Sequence, residues 1–310
     1  MRRSFSLSAK MRTVRSTILG YCQGVRETVS KASECLERAR KKGLPSYSIG
    51  NLIHNPDVIR TFEEKGLKEI KDPSGGERGV ALIRAHGIPD KLRREFTDAG
   101  FELLDSTCTV ILHTQSIIRK ESGKRVIAVI GVRDHAETKC LAGTMTTDGR
   151  EIEGVNISSE EDLEAMFGRY GKDTALCVVT QTTFPPELYR LLRDRISAYY
   201  GNVVFANGLC GACTQRTRIA VELLEKNGSA VVIGGRQSEN TANLAKALKV
   251  CGKPVVLIEN RDNLDENTLR LLFENQDVVV CSGTSTPDYI IDSVVEKLEQ
   301  YKVENYNSGL

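Results

Sequence analysis

The sequence lacks any hydrophobic run approaching the roughly 20 residues that cross a bilayer, and it does not open on an apolar stretch followed by a small-residue cleavage site. These absences predict a cytoplasmic chain without membrane contacts. Surplus charge is missing as well: 43 basic and 41 acidic side chains leave a formal net charge of +2, too little to mark a nucleic-acid-binding protein. A small molecule is therefore the expected partner. Low-complexity segments and long linkers are also absent. The first fifteen residues carry Arg2, Arg3, Lys10, Arg12 and Arg15 with no acidic residue. They read as a basic N-terminal extension in preference to an organelle transit peptide, although Met11 stands where a compact first strand could begin.

At 310 residues the chain is long for one core, and two or three domains of about 100 residues are expected without disulfide staples. Its nine cysteines are an odd number in a chain without an export signal, which favours thiolate work on a metal or cluster. Any single cysteine can also be a small buried apolar residue. That reading fits Cys35 in a helical pattern, Cys177 and Cys281 in strand-like runs, and Cys251 before a Gly-Lys-Pro turn.

Self-similarity supplies the organisation. Cys22 leads into a helical stretch, then the strand S-Y-S-I-G-N-L-I and His54. Cys108 leads into a helical stretch, then V-I-A-V-I-G and His135; Cys210 does the same with A-V-V-I-G-G and Ser238. A second half-repeat follows in each part. G-V-A-L-I-R-A ends at His86, T-A-L-C-V-V-T-Q at Thr182 and D-V-V-V-C-S-G-T at Ser285, and each is followed by proline, a carboxylate and a helical pattern (Pro89-Asp90, Pro186-Glu187, Pro287-Asp288). Proline at the first helical position with an acidic neighbour starts a helix, since its missing N–H would be unpaired anyway and the carboxylate faces the positive dipole end. Strands alternating with helices predict an α/β fold of three similar small domains with mainly parallel sheets. The expected domains are 16–107, 108–207 and 208–298, followed by a C-terminal tail over 299–310.

In such sheets functional residues gather beyond the carboxyl ends of strands. In a pseudo-threefold, trefoil-like arrangement, His54, His86, His135, Thr182, Ser238 and Ser285 would converge with Cys22, Cys108 and Cys210 on one cavity. One cysteine from each domain suits an iron-sulfur cluster or zinc, because soft sulfur ligands select these metals. Spacings this wide match no zinc ribbon. Three thiolates on a four-iron cluster would leave one iron open as a Lewis acid. Around it, histidines and hydroxyls at helix starts suit a phosphate, and Glu137, two residues after His135, is the natural proton donor for a leaving hydroxyl. His113, mid-helix, reads as structural.

These residues resemble one known family, 4-hydroxy-3-methylbut-2-enyl diphosphate reductase, also called LytB or IspH, over about residues 16 to 298. The likeness is carried by G-Y-C-Q-G-V at Cys22, I-H-N at His54, A-H-G at His86, D-S-T-C at Cys108, H-A-E at His135 to Glu137, T-Q-T-T at Thr180 to Thr183, S-x-N at Ser238 and Asn240, and G-T-S-T-P-D at Ser285. The resemblance implies three α/β domains around a [4Fe-4S] cluster on Cys22, Cys108 and Cys210. It further implies two-electron, two-proton removal of the substrate hydroxyl as water, giving isopentenyl and dimethylallyl diphosphate, with electrons from a ferredoxin or flavodoxin. By position, Glu137 would be the proton source, Thr182 and His135 would face the hydroxyl, and His54, His86, Ser238, Asn240 and Ser285 would grip the diphosphate. The chain departs from the family pattern at Thr17 to Gly20, Thr109, Ala136, Glu239 and Cys213. Cys213, three residues after Cys210, opens alternatives: a diverged paralogue using the same scaffold on another small molecule, or a non-catalytic iron-sulfur redox protein with Cys213 as fourth ligand.

Overall fold

The computed structural model describes residues 12–152, 154–274 and 277–307. Three four-stranded sheets, parallel in every strand pair, carry helices between most consecutive strands. The chain begins with β1 (Arg12–Arg15) and α1 (Gln23–Lys42), then β2 (Ser46–Ile49), α2 (Pro56–Glu64), β3 (Leu67–Ile70), β4 (Val80–Ile83), α3 (Asp90–Asp98) and β5 (Glu102–Asp105). The second run is α4 (Thr109–Glu121), β6 (Val126–Ile130), α5 (Ala136–Ala142), β7 (Gly154–Ile157), α6 (Glu160–Arg169), β8 (Leu176–Thr180), α7 (Pro186–Tyr199) and β9 (Val203–Phe205). The third is α8 (Gly211–Lys226), β10 (Ser229–Ile233), α9 (Glu239–Lys249), β11 (Val255–Ile258), α10 (Glu266–Phe273), β12 (Asp277–Ser282) and α11 (Asp288–Asn307).

The sheet orders are β3-β2-β4-β5, β7-β6-β8-β9 and β11-β10-β12-β1, one topology used three times. The central strands β4, β8 and β10 are buried along their whole length, as parallel strands covered on both faces must be. Helices supply the cover through apolar positions at helical spacing. In α1 these are Thr28, Ala32, Cys35 and Ala39, and its last turn carries Arg40, Lys41 and Lys42 at the negative end of the dipole.

Two differences from the sequence reading concern the ends. Arg12–Arg15, assigned above to a basic extension, pair in parallel with Asp277–Val280 of β12 and complete the third sheet; residues 1–11 lie outside the described residues. Residues 299–307, assigned to a tail, continue α11, because Ile291, Val294, Leu298 and Tyr301 keep helical spacing and are buried. Tyr301 stacks on Phe273 with ring centroids 5.6 Å apart. At the helix starts, Pro186 is the first residue of α7, whereas α3 and α11 begin on Asp90 and Asp288, one residue after their prolines. The chain divides into two compact units, one from Gln23 to Cys210 and one comprising the segment up to Cys22 and that from Gly211 onward. The first unit holds two of the sheets and the second the sheet completed by β1.

Candidate active site

The repeated topology sets the position of each candidate residue. The first strand of each repeat ends at Ile49, Ile130 or Ile233, and His54, His135 and Ser238 follow at one common offset. The third strand ends at Ile83, Thr180 or Ser282, with His86, Thr182 and Ser285 just beyond. Each cysteine of the trio follows the fourth strand of one sheet (β1, β5 or β9) and immediately precedes the helix opening the next repeat (α1, α4 or α8). These are the carboxyl ends of parallel strands, where α/β proteins place their chemistry.

In the unit from Gln23 to Cys210, three histidines form one cluster. Ring centroids of His54 and His86 lie 5.1 Å apart, those of His86 and His135 5.3 Å, and those of His54 and His135 6.4 Å. One nitrogen from each ring lies within 4.8 Å of the other two. Local structure holds each ring. His54 precedes Asn55, whose side chain caps α2 by accepting from the Val58 N–H at 3.1 Å. Gly87, after His86, has φ +70°, and a Cβ there would stand 2.6 Å from the Cys140 Sγ, so A-H-G needs its glycine. His135 is the N-cap of α5 and accepts the Glu137 N–H on Nδ1 at 3.2 Å. A neutral imidazole bonded this way carries its hydrogen on Nε2 and donates from there.

Burial first, then the charge of Arg84, pushes the pKa of His135 down to about 4. His86 lies well below 6.5 from burial, then Arg84, then the other two histidines. At neutral pH these two rings are uncharged hydrogen-bonding groups.

Glu137, in the first turn of α5, is 1% exposed. One carboxylate oxygen accepts the Thr182 N–H at 2.7 Å and the other accepts the Thr182 hydroxyl at 2.9 Å. The loop between β8 and α7 that presents Thr182 is tied by Gln181, whose carbonyl oxygen accepts from the Val132 N–H at 2.9 Å and the Thr138 hydroxyl at 3.2 Å. The cysteines join the same frame. The Cys210 N–H donates to the Thr182 carbonyl at 2.8 Å, and the Cys108 N–H donates to Ala85, between Arg84 and His86, at 2.9 Å. The D-S-T-C motif is a turn in which Asp105 accepts from both the Thr107 N–H and its hydroxyl and delivers Cys108 to the N-cap of α4.

In the other unit, Ser238 caps α9 by accepting from the Thr241 N–H at 3.3 Å, and Asn240 Oδ1 accepts from the Thr284 N–H at 3.0 Å. The Thr284 carbonyl accepts from the Cys22 N–H at 3.2 Å. Cys22, Asn240 and the Ser285 loop therefore form one bonded framework. Buried Arg216 steadies it, donating to the Gly20 carbonyl at 2.8 Å and to the Ser282 carbonyl at 2.9 Å. Ser238, Asn240 and Ser285 are all buried.

The cysteines separate into two classes. All nine are thiols. Cys35, Cys140, Cys177 and Cys281 are sealed in the interior, where burial pushes the thiols of Cys35 and Cys281 up to about 12 and that of Cys177 to about 11. Cys22, Cys108 and Cys210 are only half-buried, each beside a helix N-terminus, a position that favours an anionic group. Taken one by one, these are cysteines of the kind that can ligate a metal or cluster as thiolates. Cys213 is half-buried in the first turn of α8, Cys251 is half-buried beyond α9, and His113 is exposed on α4.

Sequence reasoning missed Arg84 and Asn207. Arg84 is the single charge in an apolar strand run, a signal that was present. Asn207 clamps Thr180 through two bonds, its side chain accepting from the Thr180 N–H at 2.6 Å and donating to the Thr180 carbonyl at 2.8 Å; only the fold shows this. A cavity of about 790 Å³ opens at the opposite, amino-terminal ends of β6 and β8. Its arginines are already paired, Arg119 with Asp90, Arg125 with Glu121 and Arg150 with Asp148, and none of the candidate residues lines it.

Comparison with known proteins agrees with this geometry. The family model described as LytB protein matches residues 14–299. The 4-hydroxy-3-methylbut-2-enyl diphosphate reductase of Clostridioides difficile is 32% identical over 284 residues, covering 90% of this chain and 96% of that protein. The enzyme of that name from Solidesulfovibrio magneticus is 32% identical over 298 residues, covering 94% and 100%. A solved structure of the E-1-hydroxy-2-methyl-but-2-enyl-4-diphosphate reductase of Plasmodium falciparum superposes with a TM-score of 0.80 at 20% identity, covering 93% of this chain and 88% of that one. With a family match spanning nearly the whole sequence and relatives near one third identical along their full length, this chain belongs to the LytB protein family.

Proposed function

We propose that this protein reduces 4-hydroxy-3-methylbut-2-enyl diphosphate, removing its hydroxyl as water with two electrons and two protons to give isopentenyl and dimethylallyl diphosphate. The observation that carries the reading is the buried Glu137–Thr182 pair beside a cluster of histidines. With Glu137 protonated the bond to the Thr182 hydroxyl reverses: the Glu137 O–H gives its proton to the Thr182 Oγ1, and the hydrogen of Oγ1 goes to the substrate hydroxyl, which leaves as water. The His135 Nε2–H donates to that same oxygen. His54, His86, Ser238, Asn240 and Ser285 bind the diphosphate through N–H and O–H donors, and burial excludes bulk water from the proton path. Cys22, Cys108 and Cys210 are the ligand set for a [4Fe-4S] cluster. When bound, that group supplies the electrons and a Lewis-acidic iron.

The reading includes three α/β domains divided near residues 107 and 207, a ferredoxin or flavodoxin as electron donor, and a cytoplasmic location. Among the described residues, no helix is long and apolar enough to cross a membrane. The test is turnover of the diphosphate by anaerobically purified protein supplied with a reduced one-electron dye. Formation of the two diphosphate products, falling 10²- to 10⁴-fold in Glu137→Gln as expected for loss of a general acid, supports the reading. No turnover by protein with full iron content overturns it.

A further inference from the structure

Arg84 stands directly after β4, two residues before His86. Its side chain is half-buried and packs on the backbone of Gly50: a Cβ on that glycine would lie 3.0 Å from the guanidinium carbon. One nitrogen donates to the Asn51 carbonyl at 2.8 Å, just ahead of His54 in the chain, while Nε is buried without a hydrogen-bond partner. Among the described residues no carboxylate lies within ion-pair distance of Arg84; Glu69, exposed on β3, acts on it only from farther away. A guanidinium stays protonated at neutral pH, and a partly buried charge with no counter-charge is unfavourable. The fold keeps this cation where its charge acts on His86 and His135 and supplies no anion for it.

Three histidine nitrogens within 4.8 Å of one another could in principle hold a divalent metal ion. Two features argue against that. The charge of Arg84, which acts on both His86 and His135, repels a cation at the same place. His135, accepting an N–H on Nδ1, carries its hydrogen on Nε2 and offers a donor there, where a metal needs a lone pair. The cluster suits an anion, yet His86 and His135, uncharged at neutral pH, bring no charge of their own.

We propose that Arg84 supplies the fixed positive charge with which His54 and His86 bind the phosphoryl end of the substrate, making it a substrate-binding residue that selects for a diphosphate. This rests on the diphosphate reading above. A fixed charge in a partly buried site contributes more to anion binding than a neutral hydrogen bond does.

The experiment measures binding of inorganic pyrophosphate to the cluster-loaded protein by calorimetry, and kcat and KM for the diphosphate substrate, in the wild type, Arg84→Gln and Arg84→Lys. Far-UV circular dichroism and iron content identify variants that fail to fold. For Arg84→Gln, pyrophosphate affinity is expected to fall at least tenfold and KM to rise in parallel, with kcat within about threefold of wild type. Arg84→Lys, which keeps the charge, should recover much of the affinity, a rescue that a purely structural role would not produce. Pyrophosphate binding unchanged in folded Arg84→Gln overturns the assignment and leaves the diphosphate reading standing. An equal loss in both variants also overturns it. Wild-type protein with an intact cluster that neither binds pyrophosphate nor turns over the substrate removes the underlying reading, and the role of Arg84 falls with it.

Discussion

Replacing Thr182 by valine keeps the side chain's shape and removes one atom's chemistry. Glu137 is 1% exposed and accepts two bonds from Thr182, one from the backbone and one from the hydroxyl. Valine deletes the 2.9 Å hydroxyl bond and leaves the 2.7 Å backbone bond, so the carboxylate keeps its orientation and loses its outlet toward the substrate. As the proton leaves Glu137 this bond becomes one to a charged carboxylate, contributing about 1.5–3 kcal/mol, which corresponds to roughly a 10- to 150-fold loss in kcat if it is felt fully at the transition state. KM should change little, because Thr182 is assigned to the hydroxyl end. Steady-state turnover with a reduced dye, alongside iron content and thermal unfolding, provides the assay. A Thr182→Val protein with full iron content and kcat within twofold of wild type would refute the proton path. Equal rises in KM and falls in kcat/KM, with kcat untouched, would move Thr182 from proton transfer to binding.

Three further outcomes follow from the geometry. His135 titrates near 6.5 when unfolded and near 4 when folded, with His86 also well below its ordinary value. Between those pH values the unfolded chain binds more protons, so stability falls as pH falls through that window and is retained above it; urea unfolding at pH 7.5 and 5.5 should show the slope, shallower in His135→Gln, and an identical slope in both proteins would contradict the assignment. Gly87→Ala forces a Cβ to 2.6 Å from the Cys140 Sγ at φ +70° and should cost about 1–3 kcal/mol, read as a lower melting temperature with reduced activity from a displaced His86; a neutral effect would show that the loop has room. Arg216→Met removes bonds to the Gly20 and Ser282 carbonyls and should speed iron loss in air through the Cys22 loop, whereas unchanged iron retention would separate that framework from the cluster.

Much of the site was legible because a repeat multiplies a weak signal. One histidine at a strand end says little, but His54 and His135 stand at the same offset from their strands as Ser238 does from its own, and chance does not align three helices and three strands. The D-S-T-C and A-H-G motifs were equally readable, since Asp105 and Gly87 are demanded by local backbone geometry. What escaped the sequence depends on distant pairing. A first strand near Met11 was readable, but Arg-Thr-Val-Arg is too short and polar to show its pairing, because its partner Asp277–Val280 lies at the far end of the chain. Arg84 showed in the sequence as a lone charge at the end of an apolar run, but that no carboxylate among the described residues pairs with it is seen only in the fold. The Asn207 clamp on Thr180 likewise joins two loops that no local pattern connects. Cys140 carried no repeat signal because it fills the space under Gly87.

The most direct measurement is anaerobic iron and sulfide content with Mössbauer spectra for the wild type and for Cys22→Ser, Cys108→Ser, Cys210→Ser and Cys213→Ala. Four irons per chain with one spectroscopically distinct, loss of the cluster in the first three variants and its retention in Cys213→Ala are the expected results. An iron-poor wild type, or a cluster that needs Cys213 as much as the other three, would contradict a three-thiolate site with one open iron.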